Sequence, residues 1–144
     1  MKPLHILVFT SILSVSAAAA EVPLFGVPAS EVVLADLLYL KRPVVVFADS
    51  PADPNFIRQM EILSRDPHGL DEQDVVVITD TDPANPSELR RKLRPRGFSL
   101  VIMDKDGKTT LRKPLPWAVR EIRNAIDKFP TAMIEELERY PAGR

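Results

Sequence analysis

The sequence predicts an α/β domain built on a four-stranded mixed β-sheet with helices on both faces. Two continuous apolar runs, Val44–Ala48 and Val75–Ile78, have the pattern of strands buried on both faces, as in parallel sheets. A predicted helix separates them, so a right-handed crossover makes them parallel. Phe98–Met103 and Thr109–Lys113 flank an Asp-Gly turn, which predicts an antiparallel hairpin. We therefore expect the sheet order second, first, third, fourth strand.

The helix between the first two strands has a strong start signal. Asp53 is an acidic N-cap and Pro54 suits the first helical position, which predicts a helix over Pro54–Ser64. Its apolar residues follow helical spacing. The turn-forming residues Asp66–Gly69 are expected to end it.

Four further helices are predicted, over Glu31–Leu40, Glu88–Leu93, Pro116–Phe129 and Ala132–Arg139. Ser30 and Ser87 are the expected N-caps of the first two. The last helix is expected to pack back on the body of the domain through Met133, Ile134, Leu137 and Tyr140.

The first 20 residues have the layout of a cleaved export signal. A basic start at Lys2 precedes the largely apolar run Leu4–Val15, and Ala18–Ala20 supplies the small residues of a cleavage site. The apolar run is too short to span a bilayer, which needs about 20 residues. We expect cleavage after Ala20 and a periplasmic or secreted protein. Residues 21–29 would form an N-terminal arm and residues 30–144 a single domain.

Composition excludes several function classes. The chain has 19 Lys and Arg against 20 Asp and Glu, a net charge of −1, whereas a nucleic-acid binder would carry a basic excess. It has no cysteine, so it cannot carry out thiol–disulfide exchange, which needs a sulfur nucleophile. Its two histidines are His5, in the export signal, and His68, in a turn. We therefore expect no histidine-based catalytic site, no metal site and no cofactor.

Four segments together resemble a known family: VVVFADSPADPNFIRQMEIL, DVVVITD, FSLVIMDKDGKTTLRKP and IDKFPTAMIEELERY. They are similar to domain-of-unknown-function family 4174, a thioredoxin-like family of mostly secreted bacterial proteins. The resemblance covers roughly Val33 to Tyr140, nearly all of the chain beyond the signal. It implies the thioredoxin-like fold and export. It implies no reaction, because the function of the family is unassigned.

The loop after the first strand is the natural place for a site. Open α/β sheets bind ligands at the carboxyl ends of their strands, and in thioredoxin-like folds this loop holds the reactive cysteines. Here it offers Asp49, Ser50 and Asp53. Asp53 is explained by its capping role, and Asp49 and Ser50 are ordinary turn formers.

A second candidate segment, Arg94-Pro95-Arg96-Gly97, precedes the third strand. Thioredoxin-like folds place a cis-proline just before this strand, and Gly97 would replace it as a point of close backbone approach. Arg96 or Arg94 would then face the loop carboxylates. The alternative is a solvated basic helix end, in which Arg90, Arg91 and Lys92 complement the helix dipole.

Two acidic groups suggest metals only weakly. Asp104–Gly107 matches the first half of a calcium loop, but the twelfth position, which needs a carboxylate, is Leu115. A hairpin turn explains this segment better. Asp74, Asp80 and Asp82 are more simply strand-end and turn residues.

The sequence therefore predicts an exported, redox-inactive thioredoxin-like domain that acts as a binding or accessory module. Its expected partner is another protein or an envelope component. The alternative is a cysteine-independent enzyme that uses Asp49 and Asp53 with Ser50 and Arg96. The binding candidates are these four residues and Gly97.

Overall fold

The computed structural model describes residues 25–142 of the 144-residue chain. The predicted export signal, the cleavage point after Ala20 and the first four residues of the predicted arm lie outside these residues. Within them, no helix is both long and apolar enough to cross a membrane.

Eleven helices and strands follow one another along the described chain, together with one 3-10 turn at Ala29–Glu31. In chain order they are β1 (Val27–Pro28), α1 (Leu34–Leu37), β2 (Arg42–Phe47), α2 (Pro54–Ser64), α3 (Pro67–Asp71), β3 (Val75–Asp80), α4 (Glu88–Leu93), β4 (Ser99–Met103), β5 (Thr109–Lys113), α5 (Val119–Ile126) and α6 (Pro130–Arg139).

The mixed sheet has five strands in the order β1-β3-β2-β4-β5. The four predicted strands lie in the predicted order, as β3-β2-β4-β5, but the predicted number of strands was wrong because a fifth strand joins one edge. The additional strand is β1, in which Val27 and Pro28 pair in parallel with Ile78 and Thr79 of β3. A two-residue strand is too short to show an alternating pattern, which is why the sequence predicted only an extended arm there. β2 is parallel to β3 and antiparallel to β4, as expected of a crossover followed by a hairpin.

The central strand β2 is buried on both faces, in agreement with its continuous apolar pattern. Val44 and Val46 join one core cluster, which includes Leu63 of α2 and Ile122 of α5. The other face of β2 packs in a second cluster against α1 and α4. The two clusters explain why helices are needed on both sides of the sheet.

Two predicted helix assignments near the ends of strands were wrong. The single helix predicted over Glu31–Leu40 is the 3-10 turn followed by the four-residue α1, and Tyr39 has a left-handed φ of 60°. Asp66–Gly69 does not simply end α2 but begins α3. The Asp66 side chain accepts a hydrogen bond from the Gly69 N–H at 2.9 Å, which caps the new helix.

The last helix presents its apolar side to solvent, contrary to the predicted packing. Three large apolar residues of α6 and Tyr140, its C-cap, are between 55% and 67% exposed; the three are Met133, Ile134 and Leu137. The side of α6 that faces the body instead carries Thr131 and Glu135, which hydrogen-bond the buried Arg42. A buried guanidinium needs acceptors more than it needs apolar neighbours, so the polar side of α6 turns inward.

Candidate functional site

Three loops meet at the end of the sheet where β2 and β3 stop and β4 begins. Phe47, the last residue of β2, pairs with Asp80 of β3 and Ser99 of β4. This register brings together the loops 48–53, 81–87 and 94–98. We call this region the loop end of the domain. It is the carboxyl end of the two parallel central strands, where open α/β sheets bind ligands.

Loop 48–53 directs its hydrogen bonds to its own backbone. Oδ1 of Asp53 accepts from the N–H groups of Asn55 and Phe56 at 2.8 and 3.3 Å, which confirms the predicted N-cap of α2. Oγ of Ser50 accepts from the N–H of Ala52 at 3.1 Å. Asp49 and Ser50 are exposed. The loop is therefore a capped helix entry with two solvent-facing polar side chains.

Beneath this loop lies a buried polar cluster centred on Arg90. Nε of Arg90 donates to Oδ1 of Asp80 at 2.9 Å, and its terminal nitrogen donates to the carbonyl oxygens of Ala48 and Asp80 at 2.8 and 3.0 Å. Oγ of Ser87 donates to the other Asp80 oxygen at 2.6 Å. The guanidinium also lies 5.4 Å from the centre of the Phe47 ring.

The interpretation of Arg90 as part of a solvated helix end was therefore wrong. Arg90 is only 8% exposed, and it satisfies the carboxylate and the main-chain carbonyls at the ends of two strands. One sequence signal pointed to it. Arg90 lies between Leu89 and Leu93, on the side by which α4 enters the core. Its acceptors come from separate segments, so no local pattern identifies them.

The segment Arg94–Gly97 turns through two left-handed residues. Arg94 has φ 47° and Gly97 has φ 56°, and the described residues contain no cis peptide bond. No atom lies within 4 Å of the position that a Cβ of Gly97 would take. The expectation that Gly97 permits close backbone approach was therefore wrong. The residue is glycine because of its positive φ.

Arg96 lines an open groove of about 390 Å³ at the loop end. The groove is lined by Arg94, Arg96, Phe98, Ser99, Arg112 and Pro114. We call it the arginine groove. Arg112, which the sequence reasoning missed, reaches it from the edge strand and donates to the carbonyl of Leu93 at 2.6 Å. The only sequence signal for Arg112 is a basic residue in a predicted edge strand.

The structure does not join the arginines to the loop carboxylates. Over residues 25–142, no ion pair connects Arg94 or Arg96 with Asp49 or Asp53, although other basic residues such as Arg123 do pair with carboxylates. The five sequence candidates thus divide into two groups. Asp49, Ser50 and Asp53 belong to loop 48–53, whereas Arg96 lines the arginine groove and Gly97 lies in the turn beside it.

A second charged network closes the opposite end of the sheet. The Arg42 guanidinium lies 3.4 Å from Asp104 and 2.9 Å from Glu135. Nζ of Lys105 lies 2.6 Å from Glu135 and 2.7 Å from Asp74. Arg42 and Asp104 are almost fully buried. The network ties the β4–β5 turn and α6 to the start of β2, and each charge has an opposite partner.

Hydrogen bonding in this network outweighs the cost of burial for its charged groups. Burial alone would raise the pKa of Asp104, but hydrogen bonds from Thr131 and from the Lys105 N–H, together with the charge of Arg42, hold that pKa below its usual value. Burial likewise opposes ionisation of Glu135, yet Lys105 and Arg42 lower its pKa. The pKa of Lys105 is raised, because its bonds to Asp74 and Glu135 overcome its own burial.

The three acidic residues that hinted at a metal do not form one site. Asp74 pairs with Lys105, Asp80 with Arg90, and Asp82 accepts a hydrogen bond from Asn85. In the part of the chain that the structure describes, no group of three or more His, Asp or Glu residues is placed to hold a metal ion. The Asp104–Gly107 segment forms the predicted turn, closed by hydrogen bonds between Asp104 and both Gly107 and Lys108.

The fold belongs to the thioredoxin-like class. Chloroplastic thioredoxin z superposes with a TM-score of 0.55 and 20% identity, over 72% of this chain and 92% of that one. Prx1a of Plasmodium yoelii superposes with a TM-score of 0.52 and 17% identity, over 76% of this chain and 82% of that one. At these identities the likeness shows the fold alone.

The family is shown by the sequence itself. The profile described as "Domain of unknown function (DUF4174)" matches residues 33–135, so the chain belongs to this family. The resemblance drawn from the four sequence segments is thereby confirmed. Comparison with curated proteins returned no match.

Proposed function

We propose that this chain is an exported, redox-inactive thioredoxin-like module that binds another protein or an envelope component through its loop end. One observation carries the proposal: a thioredoxin-like fold in a chain of 144 residues without a single cysteine. The fold keeps the end of the sheet at which such domains present a loop and a helix start, while the sulfur chemistry is absent. Binding another molecule through the loop end requires no nucleophile.

The hydrogen bonds of the loop support a binding role over a catalytic one. A hydroxyl nucleophile needs a general base within hydrogen-bond reach. The bond found for the Ser50 hydroxyl oxygen joins it to the Ala52 N–H, and Oδ1 of Asp53 is occupied by helix capping. Among residues 25–142, no contact favours the enzyme alternative with Asp49, Asp53, Ser50 and Arg96, which stays a prediction from the sequence.

Export is part of the proposal because of the layout of residues 1–20. The cleaved protein would begin at Glu21 and act in the periplasm or outside the cell. A binding module in that compartment meets envelope components and secreted proteins, which defines the partner class.

Site-directed photocrosslinking in the native envelope tests the binding role. A photoreactive residue at position 49 lies in the exposed loop, and one at position 138 lies on α6, whose start contacts the opposite end of the sheet. Both are exposed acidic positions, so the pair is matched in charge. We expect position 49 to capture one stoichiometric protein or envelope component, and position 138 to capture none or much less.

Two results would count against the proposal. Equal capture at positions 49 and 138 would mean that the loop end is not the binding surface. A small molecule that co-purifies with the protein and is chemically changed by it would favour the enzyme alternative. Native mass spectrometry of the same purified material detects such a molecule.

A further inference from the structure

The arginine groove brings three like charges together without a carboxylate to balance them. Arg94, Arg96 and Arg112 all line it and all three are exposed. Among residues 25–142 none of them forms an ion pair, whereas the guanidiniums of Arg42 and Arg90 each have a carboxylate partner. Guanidiniums that line one groove without a counter-charge repel one another, and an anionic ligand reduces that repulsion.

The backbone around the groove brings the three arginines to it from two elements. Arg94 ends α4 with a left-handed φ of 47°, an uncommon conformation for a residue with a side chain. Gly97, with φ 56°, turns the chain back into β4. Arg112 is fixed from the other side by its 2.6 Å hydrogen bond to the Leu93 carbonyl. Two separate elements, the end of α4 and the edge strand, thus place arginines along one groove.

From this geometry we infer that the arginine groove binds an acidic segment of a partner polypeptide, with its carboxylates paired to Arg94, Arg96 and Arg112. The inference deepens the proposed function and rests on it, since it names the chemistry that the loop end recognises. Guanidinium groups suit carboxylates because their donor fork matches both oxygens. Phe98 and Pro114 add apolar contact surface beside the charges.

Two features favour a peptide over a compact oxyanion such as phosphate. The groove adjoins the carbonyl end of α4, whose partial negative charge opposes any anion, so contacts besides charge are needed, and Phe98 and Pro114 supply apolar surface that a peptide can use and phosphate cannot. Arg112 lies in β5, and Pro114 follows directly after that strand. β5 is an edge strand of the described sheet. An extended peptide therefore has room to lie beside this edge while its carboxylates reach the arginines.

Binding of a glutamate hexapeptide tests the inference directly. Fluorescence anisotropy of the fluorescein-labelled peptide is measured against the native protein, with a glutamine hexapeptide as the neutral control. The groove variant carries Arg94→Gln, Arg96→Gln and Arg112→Gln. The matched control carries Arg58→Gln, Arg120→Gln and Lys128→Gln, which removes the same charge from exposed positions outside the groove.

We expect the native protein and the control variant to bind the glutamate peptide alike, and the groove variant to bind about tenfold more weakly. Equal weakening in the groove and control variants would overturn the inference, because only general charge attraction would remain. The inference would also be overturned if inorganic phosphate bound the groove as tightly as the glutamate peptide and displaced it. Absence of peptide binding by the native protein at low salt would overturn it too.

The design separates failure of this inference from failure of the proposed function. If position 49 captures a partner while the glutamate peptide does not bind, the proposed function stands and the inference about the arginine groove is wrong. If the groove variant is unfolded by circular dichroism, Arg96→Gln alone is used. Arg96 is exposed and its side chain makes none of the hydrogen bonds or ion pairs found within residues 25–142, so its loss should weaken peptide binding without unfolding the protein.

Discussion

Arg90 donates a 2.8 Å hydrogen bond to the carbonyl of Ala48, which joins the fourth helix to the chain immediately beyond the central strand. The same guanidinium pairs with Asp80 at the end of the neighbouring strand. Loop 48–53 begins one residue after Phe47, the last residue of β2. The start of the loop is therefore held by the buried Arg90, and its end is held by the Asp53 cap of α2.

Replacing Arg90 should destabilise the fold strongly. In Arg90→Met the buried Asp80 loses its charged partner, and we expect the free energy of unfolding to fall by about 3–5 kcal/mol. Urea unfolding at neutral pH measures it. Arg91→Met is the control, since the Arg91 side chain is exposed and, among the described groups, bonds only the Pro86 carbonyl, and the change should alter stability by less than about 0.5 kcal/mol. Similar losses in both variants would show that Arg90 has no special role.

The charged network at the opposite end predicts acid destabilisation. The pKa values of Asp104 and Glu135 are lowered on folding, from ordinary values of 3.8 and 4.5. The stability they contribute is present above those ordinary values and is lost as pH falls through the lowered ones. For Lys105 the sign reverses, because its pKa is raised above 10.5 and its contribution is lost only as pH rises beyond that.

Glu135→Gln isolates this effect. Unfolding free energies at pH 7, 4 and 3 should decrease less steeply in the variant than in the native protein. At pH 7 the variant should be less stable by about 1 kcal/mol, because the Glu135 side chain is one-third exposed and solvent screens its pairs. Glu136→Gln, one residue along α6 and exposed, should follow the native curve. An unchanged acid slope in Glu135→Gln would contradict the assigned network.

The exposed side of α6 makes a further prediction. Leu137 is 62% exposed, so Leu137→Glu should change the free energy of unfolding by less than about 0.5 kcal/mol. Ile126→Glu, which places an unpaired charge in the core one helix earlier, should prevent stable folding. Thermal melts of both variants provide the measurement. A large loss in Leu137→Glu would mean that α6 packs through its apolar side after all.

The export proposal is tested by N-terminal sequencing. The form recovered from the periplasm or the medium should begin at Glu21, because Ala18 and Ala20 supply the small residues that the cleavage site requires. A recovered form that still begins at Met1 would refute cleavage. A Lys variant at Ala20 serves as the control and should retain the signal.

The sequence predicted features that depend on neighbouring residues, such as helix starts. It did not predict contacts between residues that lie far apart along the chain. Asp53 and Pro54 predicted α2 with its observed bounds, and Asp66 with Pro67 carries the same signal for α3. The turn-forming residues Asp66–Gly69 were instead expected only to end α2. Apolar spacing identified the apolar side of α6 but not its direction, since the inward side is decided by the buried Arg42.

The candidate site divides in the same way. The sequence marked the loop and Arg96, because topology places a ligand at the carboxyl ends of the strands. It did not mark Arg112, whose role depends on the register by which β5 pairs with β4. Nor did it identify Arg90 as buried, since Ala48 and Asp80 lie far from it along the chain.

The central claim is that the loop carboxylate Asp53 is structural and that the loop end binds without catalysis. The most direct test uses the variants Asp53→Asn and Asp53→Ala. For each variant we measure the melting temperature and the amount of partner that a photoreactive residue at position 49 crosslinks. Asparagine caps helices well and alanine does not, so Asp53→Ala should lose about 0.5–2 kcal/mol of stability while Asp53→Asn loses little. We predict that Asp53→Asn keeps both native stability and native capture. An Asp53→Asn protein that melts like the native one but captures nothing would contradict the account, because the negative charge would then serve function.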